Sequence, residues 1–511
     1  MTGIPVIDAV QAADWDARAR RRAKIPSRVL MESAGRGVAS AIVREFGSPP
    51  GLAAGVLVAT GHGNNGGDGW VVARLLKAHG IPVWAADAGG SRSPDCAANR
   101  ALALESGVEL VNPKGAWPEV ALLVDALLGT GASGSPRGAI GALARRLAGL
   151  GAPVVAVDGP TGLDLSTGTA SDPVPAALTV TFGGLRRGHL LGREWCGKLV
   201  VVDIGFPAPD PAWPRFVDDG LAAQWLPGFT VRMHKGDRGR VLVIGGDRGM
   251  AGAGLHAATC ALEAGAGLVK LAAPEASVAA AQAAVPDVLT VATALGPRLE
   301  PALLEAIRWA DAIILGPGLG RGATRSQLVR AVLEATDRPV VLDADALHAG
   351  PDVLKAGRSP RVLTPHGGEF QAAFPQHAKL LESDRIAAAV TASTALTVVL
   401  LKGQPTIVAQ AKGPAYLIGS GNPALATGGS GDLLAGFIGA FLARKLAPAE
   451  AAALGAQVLG RAADIAAAQL TVRATRPADV IAALPELWRA WANVTPPSPP
   501  VLLDLAPPLL S

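Results

Sequence analysis

Residues 55–70 read GVLVATGHGNNGGDGW. An apolar run, GVLVAT, stops at a loop that holds five glycines, two adjacent asparagines and an aspartate within residues 61–70. A plain sharp turn needs only one or two glycines. Further glycines let backbone N–H groups approach a ligand closely, and Asn and Asp add donors and acceptors where no core calls for them. The stretch therefore predicts a buried strand that ends in a ligand loop suited to phosphate or a hydrated cation.

The same cadence recurs on either side: a short apolar run, a polar or glycine-rich break, then an alanine-rich helical stretch. Candidate strands of the first half are residues 55–60, 82–86, 121–125, 153–158, 178–182 and 198–205. Continuous apolar strands alternating with helices indicate a parallel sheet covered on both faces. Residues 206–227 are rich in Pro and Gly and read as a linker. A second series then starts, with candidate strands at 240–246, 267–273, 312–320, 339–347, 361–370, 396–403, 405–410 and 415–420, and a helix opening at GGSGDLLAGFIGAFLA (428–443). The expected fold class is α/β in two domains: an N-terminal Rossmann-like parallel-sheet α/β/α sandwich (1–219) and a C-terminal α/β domain (220–495). The tail, 496–511, is proline-rich and is expected to be extended or disordered.

Composition narrows the function. The chain has 511 residues, half of them hydrophobic, and a net charge of +4, with a mean hydropathy of +0.33. Its basic residues are dispersed apart from RARRRAK at 18–24, which reads as a solvated helix face. Aromatics are sparse and do not alternate with basic residues, which argues against a nucleic-acid platform. Cys96, Cys196 and Cys260 lie far apart without CxxC spacing, so no disulfide framework or thiolate metal site is expected. No signal peptide is expected. The stretch 386–401 is too short to span a membrane comfortably and reads as helix plus buried strand. A reducing cytoplasm fits.

Polar groups gather at the predicted strand ends. Asn64, Asn65 and Asp68 follow the first strand, Asp125 ends ALLVD, and Asp158 ends VVAVD with Thr161 just beyond. In an open parallel sheet, ligands bind at the carboxyl edge where strand order reverses, so residues this far apart in sequence can share one crevice. Asn, Asp and Thr oxygens form a hard-ligand set with no His or Cys. The alternative for any one of these aspartates is a helix cap. GTGASGSPRG, after Asp125, is a second cradle suited to phosphate.

In the second half, GGSGD (428–432) immediately precedes a helix, which makes an anion hole of backbone N–H groups at the positive dipole end. A carboxylate there repels phosphate, so Asp432 reads as a base drawing a proton from an attacking hydroxyl. The competing reading is an Asp favoured at a helix N-terminus. Lys402 and Thr406, in LKGQPT, suit a nucleotide. His366, in TPHGGEF, reads equally as a cap or a ligand contact.

Together these motifs resemble the bifunctional NAD(P)H-hydrate repair enzymes, in which an N-terminal hydrate epimerase is joined to a nucleotide-dependent hydrate dehydratase of ribokinase-like fold. The resemblance covers roughly residues 5–490. It rests on MESAG (31–35), GNNGGDG (63–69), DALLGTG (125–131), VDGPTGLD (157–164), GMAGA (249–253), GPGLG (316–320), DADAL (343–347), TPHGGEF (364–370) and GGSGD. It implies a hydrate bound by Asn64, Asn65, Gly66, Gly67 and Asp68, by Gly129, Thr130, Gly131, Ala132, Ser133, Gly134 and Ser135, and by Asp158, which is the expected acid/base. It implies potassium on Asn65, Asp125 and Thr161. In the dehydratase, Ala253, Gly318, His366 and Asp432 would contact the hydrate. Lys402, Gly403, Gln404, Pro405, Thr406 and Gly431 would contact ADP or ATP, which carries Mg2+. The implied partners are the hydrates of NADH and NADPH and the nucleotide, with no nucleic acid and no membrane, and the implied assembly is a homo-oligomer. Departures from the family pattern are Ala424 and Leu425 for Gly-Met, Gly367 for a proline, and Thr161 for Ser. The rival expectation is a ribokinase-type small-molecule kinase with a regulatory N-terminal domain.

Overall fold

The structure, a computed structural model, describes residues 3–47 and 51–509. The chain forms two compact units, one built on Ile4–Pro214 with Thr495–Pro508 and the other on Arg215–Val494.

The first unit holds β1 (Ile4–Ile7), β2 (Val56–Thr60), β3 (Val83–Asp87), β4 (Glu109–Leu110), β5 (Leu122–Ala126), β6 (Val154–Val157), β7 (Leu178–Phe182), β8 (Leu185–Arg186) and β9 (Lys198–Val202). Seven of them line up as β4-β3-β2-β5-β6-β7-β9, all parallel. Strands β2 to β4 run outward one way and β5 to β9 the other, so the order reverses between β2 and β5. Side chains alternate along β2 between two cores. Val56 and Val58 face the helices Ser27–Phe46 and Asn64–Ala78, whereas Leu57 and Ala59 face the helix Gly138–Ala148. That two-sided burial makes the α/β/α sandwich and explains why these strands are continuously apolar.

The second unit adds β10 (Arg215–Phe216), β11 (Arg240–Ile244), β12 (Leu268–Ala273), β13 (Leu289–Ala292), β14 (Ala312–Leu315), β15 (Val340–Leu342), β16 (Arg361–Leu363), β17 (Thr397–Leu401), β18 (Thr406–Ala409) and β19 (Tyr416–Ile418). Their order is β13-β12-β11-β14-β15-β16-β17-β18-β19-β10. The sheet is parallel from β13 to β17, and β18 is antiparallel to both its neighbours. Here the reversal falls between β11 and β14. Helix Ser430–Ala443 lies flat on this sheet: a Cβ on Gly439 would stand 2.5 Å from Ile314 Cδ1.

Of two stretches, the expected linker differs from its reading in sequence, whereas the tail takes the extended form. The segment 206–227 is no loose linker past Pro214, because β10 pairs with β19 and helix Asp219–Trp225 follows it. Phe216, Val217 and Leu221 are buried, each worth about 1.5–3 kcal/mol of apolar burial. The tail returns as β20 (Val501–Leu505), antiparallel to β9, with Leu503 buried and Arg193 donating to the Ala506 carbonyl. Among the described residues no helix is long and apolar enough to cross a membrane.

Candidate active sites

The GHGNNGGDG stretch is mostly the start of a helix, since Asn64–Ala78 begins immediately after Gly63. Several of its glycines are required by close packing. A Cβ on Gly66 would stand 2.0 Å from the Gly61 carbonyl oxygen, and one on Gly69 would stand 2.4 Å from Ala126 Cβ. At Gly63 nothing lies within 4 Å of a Cβ. The open glycine is therefore the helix cap itself, where no side chain accepts from the first N–H groups. Those donors face the switch point between β2 and β5, an arrangement suited to an anion. Asn64 is exposed, and Asn65 and Asp68 are half-buried.

Asp125, at the end of β5, is fully buried. Its Oδ1 accepts from Leu127 N (3.2 Å) and Thr161 Oγ1 (2.8 Å), and its Oδ2 from Thr161 N (2.8 Å). Burial pushes its carboxyl up to about 6 against these donors. Thr161 Oγ1 accepts in turn from Leu128 N (3.1 Å). Next along, Gly129 lies between Asn65 and Asp158: a Cβ there would stand 3.0 Å from Asp158 Oδ2 and 3.1 Å from Asn65 Oδ1. The loop of Gly131, Ser133, Gly134 and Ser135 is exposed, with Ala132 half-buried and its N–H donating to the Gly129 carbonyl (3.0 Å).

Asp158 is held harder than its sequence suggested. Oδ2 accepts from Thr130 N (2.9 Å) and Thr130 Oγ1 (2.5 Å), and Oδ1 from Thr181 Oγ1 (3.0 Å) and Arg186 Nη2 (3.3 Å). Burial works to raise its carboxyl, but the Arg186 charge and the Thr130 donors outweigh burial and hold it below the usual carboxylate range. A buried carboxylate with four donors stays ionised and gives up little by way of a lone pair, so it is a poor proton carrier. Asp68 is the reverse case. Burial first, then repulsion from Asp158 and Asp16, hold its carboxyl well above the usual range. Helical spacing sets Asp68 on the same face as Asn64 and Asn65, one turn on.

Sequence reasoning missed Thr181, Arg186 and His189. Arg186 is buried, donates from Nε to Thr130 Oγ1 (2.9 Å) and from Nη1 to the Gly184 carbonyl (2.8 Å). His189 accepts at Nδ1 from Arg186 N (3.0 Å), so its Nε2–H donates to the Asp158 carbonyl (2.8 Å). Burial drives its ring down to about 4, which keeps it neutral. The one available signal was the RRGH run (186–189), three residues past LTVTF (178–182).

In the second unit Asp432 stands in the first turn of the helix Ser430–Ala443, whose cap Gly429 has φ +98°. Positions where a Cβ on Gly431 would point lie 3.6 Å from both Asp343 Oδ2 and Lys402 Nζ. Asp343, ending β15, is buried and accepts at Oδ1 from Thr364 Oγ1 (2.7 Å) and Lys402 Nζ (3.2 Å). Lys402 also pairs with Glu369 (3.4 Å). Burial, then repulsion from Asp343, lifts Asp432 to about 7, with Lys402 opposing. His366 caps helix Gly367–Ala373, accepting at Nδ1 from Gly368 N (3.1 Å) and Glu369 N (3.3 Å). Its side chain is 61 % exposed, with Nε2 3.5 Å from Glu369 Oε1.

Ala253 and Gly318 stand together, a Cβ on Gly318 lying 3.1 Å from Ala253 Cβ. His256, one turn after Ala253, reaches the anion hole: its Nε2 is 3.6 Å from a Cβ on Gly429. The segment Lys402–Thr406 turns at the end of β17. Arg385 donates to the Lys402 and Gln404 carbonyls (3.2 Å each) and Thr406 Oγ1 to the Gly403 carbonyl (3.0 Å). Gly403 and Gln404 are exposed and Pro405 is buried. Asp343, Glu369 and His256 were not singled out from sequence, although Asp343 ends VVLD as Asp158 ends VVAVD. Among the described residues no three His, Cys, Asp or Glu side chains form a group able to hold a metal.

The chain matches two family models, "YjeF-related protein N-terminus" over residues 27–188 and "NAD(P)H-hydrate dehydratase" over residues 241–486. It is 36% identical to the bifunctional NAD(P)H-hydrate repair enzyme of Moorella thermoacetica, over 95% of this chain and 96% of that one. It is 38% identical to the bifunctional NAD(P)H-hydrate repair enzyme of Escherichia coli, over 84% of each. A solved structure of the ADP/ATP-dependent NAD(P)H-hydrate dehydratase from Bacillus subtilis, co-crystallised with ATP and Mg2+, covers 54% of this chain and 98% of its own, at 29% identity and a TM-score of 0.49.

Proposed function

The chain belongs to the family of bifunctional NAD(P)H-hydrate repair enzymes, and we propose that it epimerises hydrated NADH and NADPH at the first site and dehydrates one epimer at the second. The observation that carries the second half is Asp432, a carboxyl near 7 in the first turn of a helix, near Lys402 and just after the open Gly428. A base with that pKa is matched to neutral pH.

In the hydrate, a hydroxyl sits on a carbon next to the ring nitrogen, and hydroxide leaves poorly. Asp432 takes the hydroxyl proton as the oxygen attacks the terminal phosphorus of ADP or ATP, held by Gly431 and the Lys402–Thr406 turn. The nitrogen lone pair then expels phosphate, and loss of a proton from the next ring carbon to solvent restores the dihydronicotinamide. Ala253, Gly318 and His366 line the hydrate's side. With no protein cage for a divalent ion among the described residues, Mg2+ would arrive on the nucleotide phosphates, as it commonly does.

Such a phosphoryl site acts on one epimer only, which gives the first unit its task. There the ring nitrogen expels the hydroxyl and water returns from the other face. Asp68 supplies the proton to the departing hydroxyl and recovers one from the incoming water. Asp158, whose lone pairs are taken, fixes Thr130 and Arg186 instead. Asn65, Asp125 and Thr161 suit potassium: Asp125 is a buried carboxylate with no Lys or Arg among its hydrogen-bond partners, a costly state without a counter-ion. Bound there, the ion would supply a fixed positive charge that holds Asp125 ionised.

The test is a time course of dihydronicotinamide absorbance with mixed NADH-hydrate epimers and ADP or ATP. Complete recovery without a plateau is expected. Recovery of one epimer followed by a stall at the spontaneous rate would remove the epimerase half of the reading.

A further inference from the structure

In doubly wound sheets a dinucleotide lies across the switch point, with its pyrophosphate at the first helix N-terminus. The acidic residue ending the second strand then meets the adenosine ribose. In the first unit the hydrate-side groups Asp125 and Asp158 follow β5 and β6, which leaves the end of β3 for the adenosine. Asp87 is the last residue of β3, level with Thr60 of β2. The loop beyond it meets the cap of the first helix, Ser93 N donating to the His62 carbonyl (3.1 Å). Gly89 and Gly90 within it have φ +72° and +85°, and a Cβ on either would meet nothing within 4 Å.

Asp87 cannot serve a ribose hydroxyl as a free carboxylate does. Oδ1 accepts from Gly89 N (2.9 Å) and Arg92 Nη2 (2.8 Å), and Oδ2 from Arg92 Nη2 (2.6 Å) and Arg100 Nε (2.8 Å). Those donors occupy the roughly four lone-pair sites of a carboxylate. What the strand end presents instead is two guanidinium groups against one carboxylate, with side chains 20% and 29% exposed. Arg92 Nη1 donates to the Gly90 carbonyl (3.3 Å), and its buried Nε has no hydrogen-bond partner among the described residues. A cluster of net positive charge with planar donors fits a phosphate better than a hydroxyl.

We infer that Arg92 and Arg100 form the subsite for a phosphate on the adenosine ribose, and that the first unit therefore prefers the NADPH hydrate to the NADH hydrate. This rests on the epimerase reading of that unit. Asp87 is a positioning residue, holding both guanidinium groups at the strand end.

The experiment follows interconversion of the separated epimers by the full-length protein without nucleotide, for both hydrates. Wild-type KM should be lower for the NADPH hydrate by about tenfold or more, and Arg92→Ala with Arg100→Ala should raise that KM about tenfold at similar kcat. The KM for the NADH hydrate should move less than about twofold. Since the variant leaves Asp87 unpaired, a second measurement needs no substitution: 2′-phospho-ADP-ribose should inhibit wild-type epimerisation at least about tenfold better than ADP-ribose. Equal KM values together with equal inhibition would overturn the inference, as would equal losses on both hydrates in the variant. No interconversion of either hydrate by the wild type would strike the epimerase reading itself.

Discussion

Replacing Asp432 with Asn separates the two roles open to an aspartate at a helix start. An aspartate that only favoured the positive end of the helix dipole would contribute stability when ionised, so its loss should cost about 0.3–1 kcal/mol. A base kept protonated by its surroundings carries the opposite sign. Asp432 titrates at about 7 in the folded chain, whereas an unfolded Asp titrates near 3.9. Between those values the folded state holds the extra proton, so stability is lost as pH rises from about 4 to about 7. Some three pH units at 1.36 kcal/mol each put the ceiling near ~4 kcal/mol above pH 7, and partial exposure beside Lys402 reduces it to about 1–3 kcal/mol. Asn cannot ionise and escapes that cost. Asp432→Asn should therefore raise Tm relative to wild type at pH 8, and by clearly less at pH 5, while dehydratase turnover falls about 100-fold or more and nucleotide still binds. Calorimetry at the two pH values, with turnover measured alongside, checks it. A variant destabilised by the same amount at both pH values, or one with near-normal turnover, would return Asp432 to the role of a charge favoured at the helix N-terminus.

Asp125→Ala should impair epimerisation and remove its potassium dependence while leaving nucleotide-dependent dehydration unchanged, which epimer-resolved assays with and without potassium can check. Asp68→Asn should slow epimerisation by about 100-fold or more across all pH values. Asp158→Asn removes a charge that adds to burial in raising Asp68, so the pH limb set by Asp68 should shift to lower pH, and a pH–rate profile reads the difference. For wild-type dehydration, kcat/KM should rise with pH about a midpoint near 7, the value of Asp432, and Asp432→Asn should abolish that limb.

Elements buried on both sides were legible because burial writes itself into composition. Every residue of β2, β5, β6 and β7 is buried, and each stood out as an apolar run. Strands that bury little were not. Both residues of β4 are exposed, β13 contains no fully buried residue, and β10 hides two residues inside a proline-rich stretch. The tail strand β20 is set by pairing with β9, some three hundred residues earlier in the chain, and by a single buried Leu503. Site carboxylates were legible for the reason the strands were, since an Asp at the end of an apolar run has no core to join. Their partners were not. Arg186 looks in sequence like any surface arginine, and only the fold brings it to Thr130 and Asp158. The glycines misled in a physical way: sequence cannot distinguish Gly66, closed off by the Gly61 carbonyl, from Gly63, which faces open space.

The two units solve one electrostatic problem by the same means. Each raises one carboxyl above its ordinary range. In each, an aspartate ending a central strand is ion-paired with a cation from elsewhere in the unit: Asp158 with Arg186, and Asp343 with Lys402. In each, a second aspartate on the opening turns of a helix stands in the field of the first, and that repulsion adds to burial in raising it. Burial alone would raise any enclosed carboxyl, but it would not say which of two neighbours gives way. In the first unit the cation decides, because Arg186 stabilises the charge on Asp158, whereas in the second Lys402 pairs with Asp343 and also opposes the rise at Asp432. The strand-end aspartate thus adds to burial in raising its neighbour, and in the proposed function the helix-start aspartate is the one that exchanges a proton.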